Sequence, residues 1–173
     1  MEIVELDLER VRAHADELAQ LLLDAHTSGM ALGLAAPLTR ERAIAEWEAL
    51  VSRGHGLVLG AVEDGVAIGA GCLTPSTAEN GRHRGEIQRL AVRADRRGSG
   101  IGGVLLDALV ERARAAGLSL LWLTTHADTQ SDSFYVRRGW TRYGVVPGWG
   151  RRPDGELVAN AFFYLQLPGK TTP

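Results

Sequence analysis

The order of elements predicted along the chain, β-α-α-β-β-β-α-β-α-β-β, gives an α/β fold in which helices cover both faces of a mixed sheet. Three observations carry that reading. Residues 86–92, the glycine-rich turn after them and residues 103–116 read as strand, turn and amphipathic helix. Residues 57–62 and 66–73, joined by Glu63-Asp64-Gly65, read as an antiparallel hairpin. Residues 118–123 are an almost continuous apolar run, the pattern of a strand covered on both faces.

Taken in order, residues 2–6 form a short first strand. A helix follows from Leu8, with Leu8, Val11, Ala15, Leu18, Leu22 and Ala25 on its buried face. Residues 26–37 are rich in glycine and small side chains and break the pattern, so they read as a loop. Met30 and Leu32 give that loop apolar reach toward a substrate site. Thr39 can cap a second helix, whose apolar face is Ile44, Trp47 and Val51 with Leu50 alongside. Trp47 reads as core or pocket wall. After the hairpin, residues 75–83 are a polar connection; His55, His83 and Arg84 read as rim residues.

The central strand brings Leu90 and Val92 to one face by alternation, with Glu86 and Gln88 on that same face. In the helix that follows, Ile101, Leu105, Leu109 and Ala113 recur every four residues, Val104 and Val110 widen the stripe, and Gly117 ends it. Residues 131–138 form a short helix with Gly139 at its C′ position. Residues 141–146 and 158–167 are closing strands, joined by a turn-rich loop over 147–155. Trp149, Arg151 and Asp154 in that loop suit closure over a small zwitterion or polar amine, and a solvated hairpin loop explains them equally well.

Composition bounds the function. The 173 residues, 45% hydrophobic and 23% charged, make one domain over residues 1–167 with a short tail at 168–173. A formal charge of −2 argues against a general nucleic-acid binder. Apolar runs are too short to span a bilayer, and the N-terminus has no export signal, so a cytoplasmic protein without a membrane partner is expected. The single Cys72 excludes an internal disulfide framework and reads as packing. No cluster of residues suggests a metal site.

Glycines at 98, 100, 102 and 103 remove side chains where a helix begins, which leaves its first N–H groups open to an anion. Arg96 and Arg97 lie beside them and can bond phosphate oxygens. The ATP-binding loop is excluded, because Gly102-Gly103 is followed by Val104-Leu105 rather than Lys-Ser/Thr. The dinucleotide fingerprint fits poorly, because two arginines intervene after the strand. A tight connection without a ligand stays open.

Arg97-Gly98-Ser99-Gly100-Ile101-Gly102 resembles the Arg/Gln-x-x-Gly-x-Gly/Ala signature of the GNAT superfamily of N-acetyltransferases, and Ser133-Phe134-Tyr135-Val136-Arg137-Arg138-Gly139-Trp140 resembles its late helix. Residues 36–43, 144–147, 154–157 and 162–164 extend the likeness to acetyltransferases of the tabtoxin-resistance type. This resemblance implies a mixed, mostly antiparallel sheet of about seven strands flanked by about four helices. It implies acetyl-CoA as cosubstrate. Amides of Arg97, Gly98, Ser99, Gly100, Ile101 and Gly102 would hold its pyrophosphate, and the backbone of Leu90, Ala91 and Val92 its pantetheine arm. Tyr135 matches the tyrosine beside the thioester sulphur, and Glu86 an acidic residue that serves as base, with Gln88 as its neutral neighbour. The Asp-Thr pair common in the tabtoxin-resistance type is here Thr124-Thr125, so His126 and Asp128 are further candidates for proton collection.

The expected activity is acetyl transfer to the primary amine of a small molecule, with an antibiotic or toxin as the finer expectation. A peptide or protein N-acetyltransferase and a noncatalytic acyl-CoA sensor are the alternatives. A homodimer is possible on this reading.

Overall fold

A computed structural model describes residues 1–30, 32–52 and 56–167. The expectations for His55 and the tail at 168–173 lie outside the described residues. In chain order the elements are β1 (Glu2–Glu5), α1 (Leu8–Ala13), α2 (Ala15–Thr27), α3 (Arg40–Ser52), β2 (Leu57–Glu63), β3 (Val66–Pro75), β4 (Arg84–Val92), α4 (Ile101–Ala115), β5 (Leu120–His126), α5 (Gln130–Arg137), β6 (Thr141–Arg151) and β7 (Leu157–Gln166). The strands make one seven-stranded sheet in the order β1-β2-β3-β4-β5-β7-β6. Every neighbouring pair is antiparallel except β4 and β5. The mixed, mostly antiparallel sheet expected from the sequence is the one found.

Helices lie on both faces. On one face α4 and α5 build a core from Leu105, Leu106, Leu109, Tyr135, Trp140 and Phe163, together with Ile87, Leu121 and Leu123 of the sheet. On the other, α1 to α3 bury Val11, Leu18, Leu22 and Trp47 against Val58, Ala70, Cys72 and Ala91. Trp47 is fully buried core, and its indole N–H donates to the Leu18 carbonyl at 2.9 Å. Cys72 is packed inside, where burial pushes its thiol pKa up and keeps it from nucleophilic use. Thr39 does cap α3, accepting from the Arg42 N–H at 3.2 Å.

Four expectations are corrected. The first helix is interrupted at His14 (φ −110°, ψ 23°), so it divides into α1 and α2, and the five helices agree with the about four expected. Asp7 caps α1, and Arg12 pairs with Glu48 of α3. On α4 the stripe widens toward Leu106 and Val110, while Val104 is 44% exposed. Strand β6 runs on to Arg151 through a bulge, since Val146 pairs with Asn160 and Gly150 with Val158; the expected loop over 147–155 shrinks to a turn after Arg151. Finally, β5 is not covered on both faces. Leu121 and Leu123 are buried, but Leu120 and Trp122 line an open cavity.

Candidate active site

Strands β4 and β5 pair through three rungs only: Arg84 with Leu120, Gly85 with Leu121 and Glu86 with Trp122. Beyond that rung each strand stays bonded to its outer neighbour, β4 to β3 and β5 to β7, so the two diverge. The result is a wedge with an unpaired edge of β4 along residues 87–92, a row of backbone donors and acceptors facing a gap.

A bulge shapes that edge. Cys72 pairs with Gln88 and Ala70 with Ala91, so Arg89 and Leu90 together oppose Gly71, and Arg89 adopts φ +51°. This overturns the expected alternation. Ile87, Leu90 and Val92 face α4, whereas Gln88, Arg89 and Ala91 face α1 to α3. Arg89 reaches Glu46 of α3 at 2.9 Å. Glu86 shares its face with Gln88, whose amide donates to its carboxylate at 2.7 Å, but not with Leu90 and Val92.

At the far end of β4 the chain turns through Gly98 (φ +79°) and Gly100 (φ +90°), a left-handed geometry that glycine adopts without steric penalty. Gly100 is the N-cap of α4. The backbone N–H groups of Gly98, Ser99, Gly100, Ile101 and Gly102 donate to no backbone acceptor among the described residues. They converge with the positive end of the helix dipole, a combination that suits an anion. Both arginines beside the turn have partners within the chain. Arg96 is paired with Glu63 at 2.6 Å. Arg97 donates to the Val92 carbonyl at 3.2 Å and to Ser28 at 2.8 Å, so its guanidinium ties the turn to β4 and α2.

Tyr135 lies on the opposite face of the sheet to Glu86. It projects from α5 into the cluster that holds Ile87 and Leu123, the residues just past the last paired rung. Its ring meets Phe134, Trp140 and Phe163 at centroid distances of 5.1, 5.9 and 5.7 Å. It is 9% exposed, its hydroxyl has no hydrogen-bond partner among the described residues, and burial pushes the phenol pKa up. The phenol is therefore held neutral. Thr129 caps α5 and Gly139 ends it at φ +77°, which fixes where Tyr135 stands.

On the Glu86 face a cavity of about 860 Å³ opens at the base of the wedge. Register builds it: Thr74, Glu86, Trp122 and Tyr164 stand opposite one another across β3, β4, β5 and β7. Tyr143 of β6 adds to the aromatic wall, 5.9 Å from Tyr164 and 6.0 Å from Phe162. Arg84 and Glu86 are its only charged lining groups among the described residues. Burial raises the Glu86 pKa above the ordinary carboxylate range; the Gln88 hydrogen bond and Arg89 pull it back in part.

Other candidates fall elsewhere. Leu32 packs against the core beneath α1 to α3, and Met30 approaches Ser131 at the start of α5, so neither lines the cavity. Trp149 stacks edge-on to Phe162 at 5.0 Å and stays 60% exposed, an outer extension of the aromatic wall. Arg151 bonds the Gly155 carbonyl and Asp154 the Glu156 N–H, so both serve the turn. His126 sits at the open end of β5, its pKa lowered by burial and by Arg152. Asp128 pairs with Arg142 at 3.2 Å. Thr124, where tabtoxin-resistance-type acetyltransferases commonly have Asp, accepts from Asn160 at 3.2 Å. Sequence reading missed the aromatic wall, because its residues come from strands whose register no local pattern reveals.

Comparison with known proteins agrees with this architecture. The model of the acetyltransferase (GNAT) family matches residues 15–140. L-Methionine sulfoximine/L-methionine sulfone acetyltransferases from Pseudomonas paraeruginosa and Pseudomonas aeruginosa are 34% identical over 93 residues, 52% of this chain and 54% of theirs. The chain thus spans about half the length of the curated relatives it matches. Among solved structures, ribosomal-protein-alanine N-acetyltransferase from Brucella melitensis aligns with a TM-score of 0.77 at 24% identity, over 96% of this chain and 100% of that one. The yncA protein of Salmonella typhimurium, solved with its cofactor acetyl-CoA, aligns with a TM-score of 0.74 at 22% identity, over 100% and 97% of the two chains. At such identities the structures speak to the fold, and the match of the family model settles membership: this chain belongs to the acetyltransferase (GNAT) family.

Proposed function

We propose that this protein is an acetyl-CoA-dependent N-acetyltransferase acting on the primary amine of a small molecule. One observation carries the reading. A free backbone edge and a ring of free amides lead into the wedge from one end, and an aromatic-walled cavity bearing Glu86 meets its vertex from the other. Acetyl-CoA supplies an acyl group activated as a thioester. The amides of Gly98, Ser99, Gly100, Ile101 and Gly102 hold its pyrophosphate, with the turn braced by Arg97, and the β4 edge from Leu90 to Val92 pairs with its pantetheine amides.

The chain then manages two protons. The amine nitrogen attacks the thioester carbonyl, a C–N bond forms, and the C–S bond breaks. Glu86, directly or through a water, takes the proton that the amine loses. Tyr135, neutral because buried, donates a hydrogen bond or a proton to the departing sulphur. Their placement on opposite faces of the sheet matches these tasks, one facing the acceptor and the other the leaving group. With Thr124 in place of an acidic residue, Glu86 is the carboxylate left to act.

A single Arg and a single Glu in the cavity favour a small acceptor over a peptide drawn to an acidic groove. The Pseudomonas relatives, named for two amino-acid analogues, support a small acceptor too, with an antibiotic or toxin as the finer possibility. The setting is cytoplasmic on this reading. A homodimer is part of this reading, with exposed Val145, Val146 and Leu157 along β6 and β7 as apolar side chains available to a second copy. The test is free-thiol release from acetyl-CoA over a panel of small amines, aminoglycosides and N-terminal peptides. Turnover with small amines supports the proposal. Tight binding of acetyl-CoA with no acceptor turned over favours a sensor, and turnover of peptides alone favours a peptide acetyltransferase.

A further inference from the structure

We infer that the acceptor carries an anionic group, a carboxylate or its equivalent, and that Arg84 binds it; the inference rests on the transferase reading of the same cavity. Arg84 and Glu86 are two residues apart on β4, so their side chains leave the same face about 7 Å apart at the backbone. Glu86 has a hydrogen-bond partner in Gln88, and Arg89, the next arginine along β4, is paired with Glu46. Arg84 lines the cavity and has no ion-pair partner among the described residues.

Arg84 is exposed at the rim of the cavity, beside Gly81. The guanidinium lies along the backbone of Gly81, in the short 3₁₀ turn Glu79–Gly81 between β3 and β4. A Cβ on Gly81 would fall 2.9 Å from Arg84 Nε, 3.1 Å from its Nη2 and 2.8 Å from Ser76 Oγ. Gly81 therefore leaves the space that the guanidinium fills. Ser76 and Thr77 line the same rim and add hydroxyl donors beside the cation.

The chemistry of the cavity follows. An amine must reach Glu86 at the vertex of the wedge. A fork of guanidinium donors waits beyond it and matches a carboxylate, sulfonate or phosphonate in two parallel bonds. Trp122, Tyr143 and Tyr164 supply the wall for the carbon skeleton between. A neutral amine leaves Arg84 unpaired, and a dication is repelled by it. Amino-acid-like zwitterions satisfy both ends.

The experiment is initial-rate kinetics on matched pairs: L-methionine sulfone and other free amino acids, each against its carboxamide, with the wild type, Arg84→Gln and Gly81→Ala. The expected result is a wild-type kcat/KM about tenfold or more higher for the acids, carried in KM, as loss of a charge-assisted pair implies. In R84Q that preference collapses through a rise in KM for the acids, while KM for acetyl-CoA stays as it was. G81A, at a backbone angle open to alanine, displaces the guanidinium and reproduces the effect in part. Equal turnover of acids and carboxamides by wild type and R84Q overturns the inference and leaves the transferase reading standing. If no amine of either kind is acetylated, the transferase reading fails and the inference falls with it.

Discussion

The donor side and the acceptor side of the wedge are made of different materials. On the donor side the groups are backbone: an unpaired strand edge and five free amides within residues 87–102. On the acceptor side they are side chains, delivered by β3, β4, β5, β6 and β7 and brought together only by strand register. A backbone site depends on glycine geometry and tolerates many side chains. A side-chain site can change its ligand by one substitution while the fold stays the same. That division lets one scaffold hold a constant donor while acceptors vary.

The sharpest way to break the comparison is Glu86→Gln. It should lower kcat by about 10² to 10⁴, the usual reach of a general base, with acetyl-CoA affinity unchanged, as isothermal titration would show. A parallel loss of affinity would mean the two sides are not separable. Tyr135→Phe removes only the hydroxyl from a packed ring. Its kcat should fall about 10- to 100-fold, with both KM values and the melting temperature near wild type. A large drop in melting temperature would instead make Tyr135 a core residue and nothing more.

Gly100→Ala probes the backbone side. At φ +90° alanine is strained by about 1–2 kcal/mol, so acetyl-CoA should bind about tenfold more weakly while the acceptor KM holds. The smallest effect concerns pH. Burial raises Glu86 above its unfolded value, so the folded state favours its protonated form. Stability from that preference is fully present below the unfolded carboxylate pKa, near 4.3, and is lost as pH rises through the higher folded pKa. At neutral pH the wild type therefore bears a buried charge that E86Q lacks. E86Q should melt slightly above wild type at pH 7, and the gap should close below about pH 4. The acid limb of kcat/KM should likewise lie above the ordinary carboxylate range, since the base is lost as pH falls through the raised pKa.

What could be read in the sequence follows the same division. The turn from β4 into α4 was legible because glycine spacing and a four-residue apolar repeat are local signals. The family and the order of strands came with it. The bulge at Arg89 was not legible: an arginine at positive φ has no composition signal, and it reverses the facing of Leu90 and Val92. Trp149, Arg151 and Asp154 looked like a closing loop because Pro147, Gly148 and Gly150 mark turns; cross-strand pairing with β7 overrode those markers. Arg84 was legible as rim, but its neighbours in the cavity were not, since they lie across the sheet and not along the chain.

The account rests on Glu86 standing where the donor edge ends and the acceptor cavity begins. The direct test is amine-dependent thiol release measured in wild type and E86Q side by side, each shown by calorimetry to bind acetyl-CoA. The prediction is release in wild type that requires both acetyl-CoA and a small amine, and its near-complete loss in E86Q at undiminished acetyl-CoA affinity. Full activity in E86Q, or tight acetyl-CoA binding by a wild type that acetylates nothing, would contradict it.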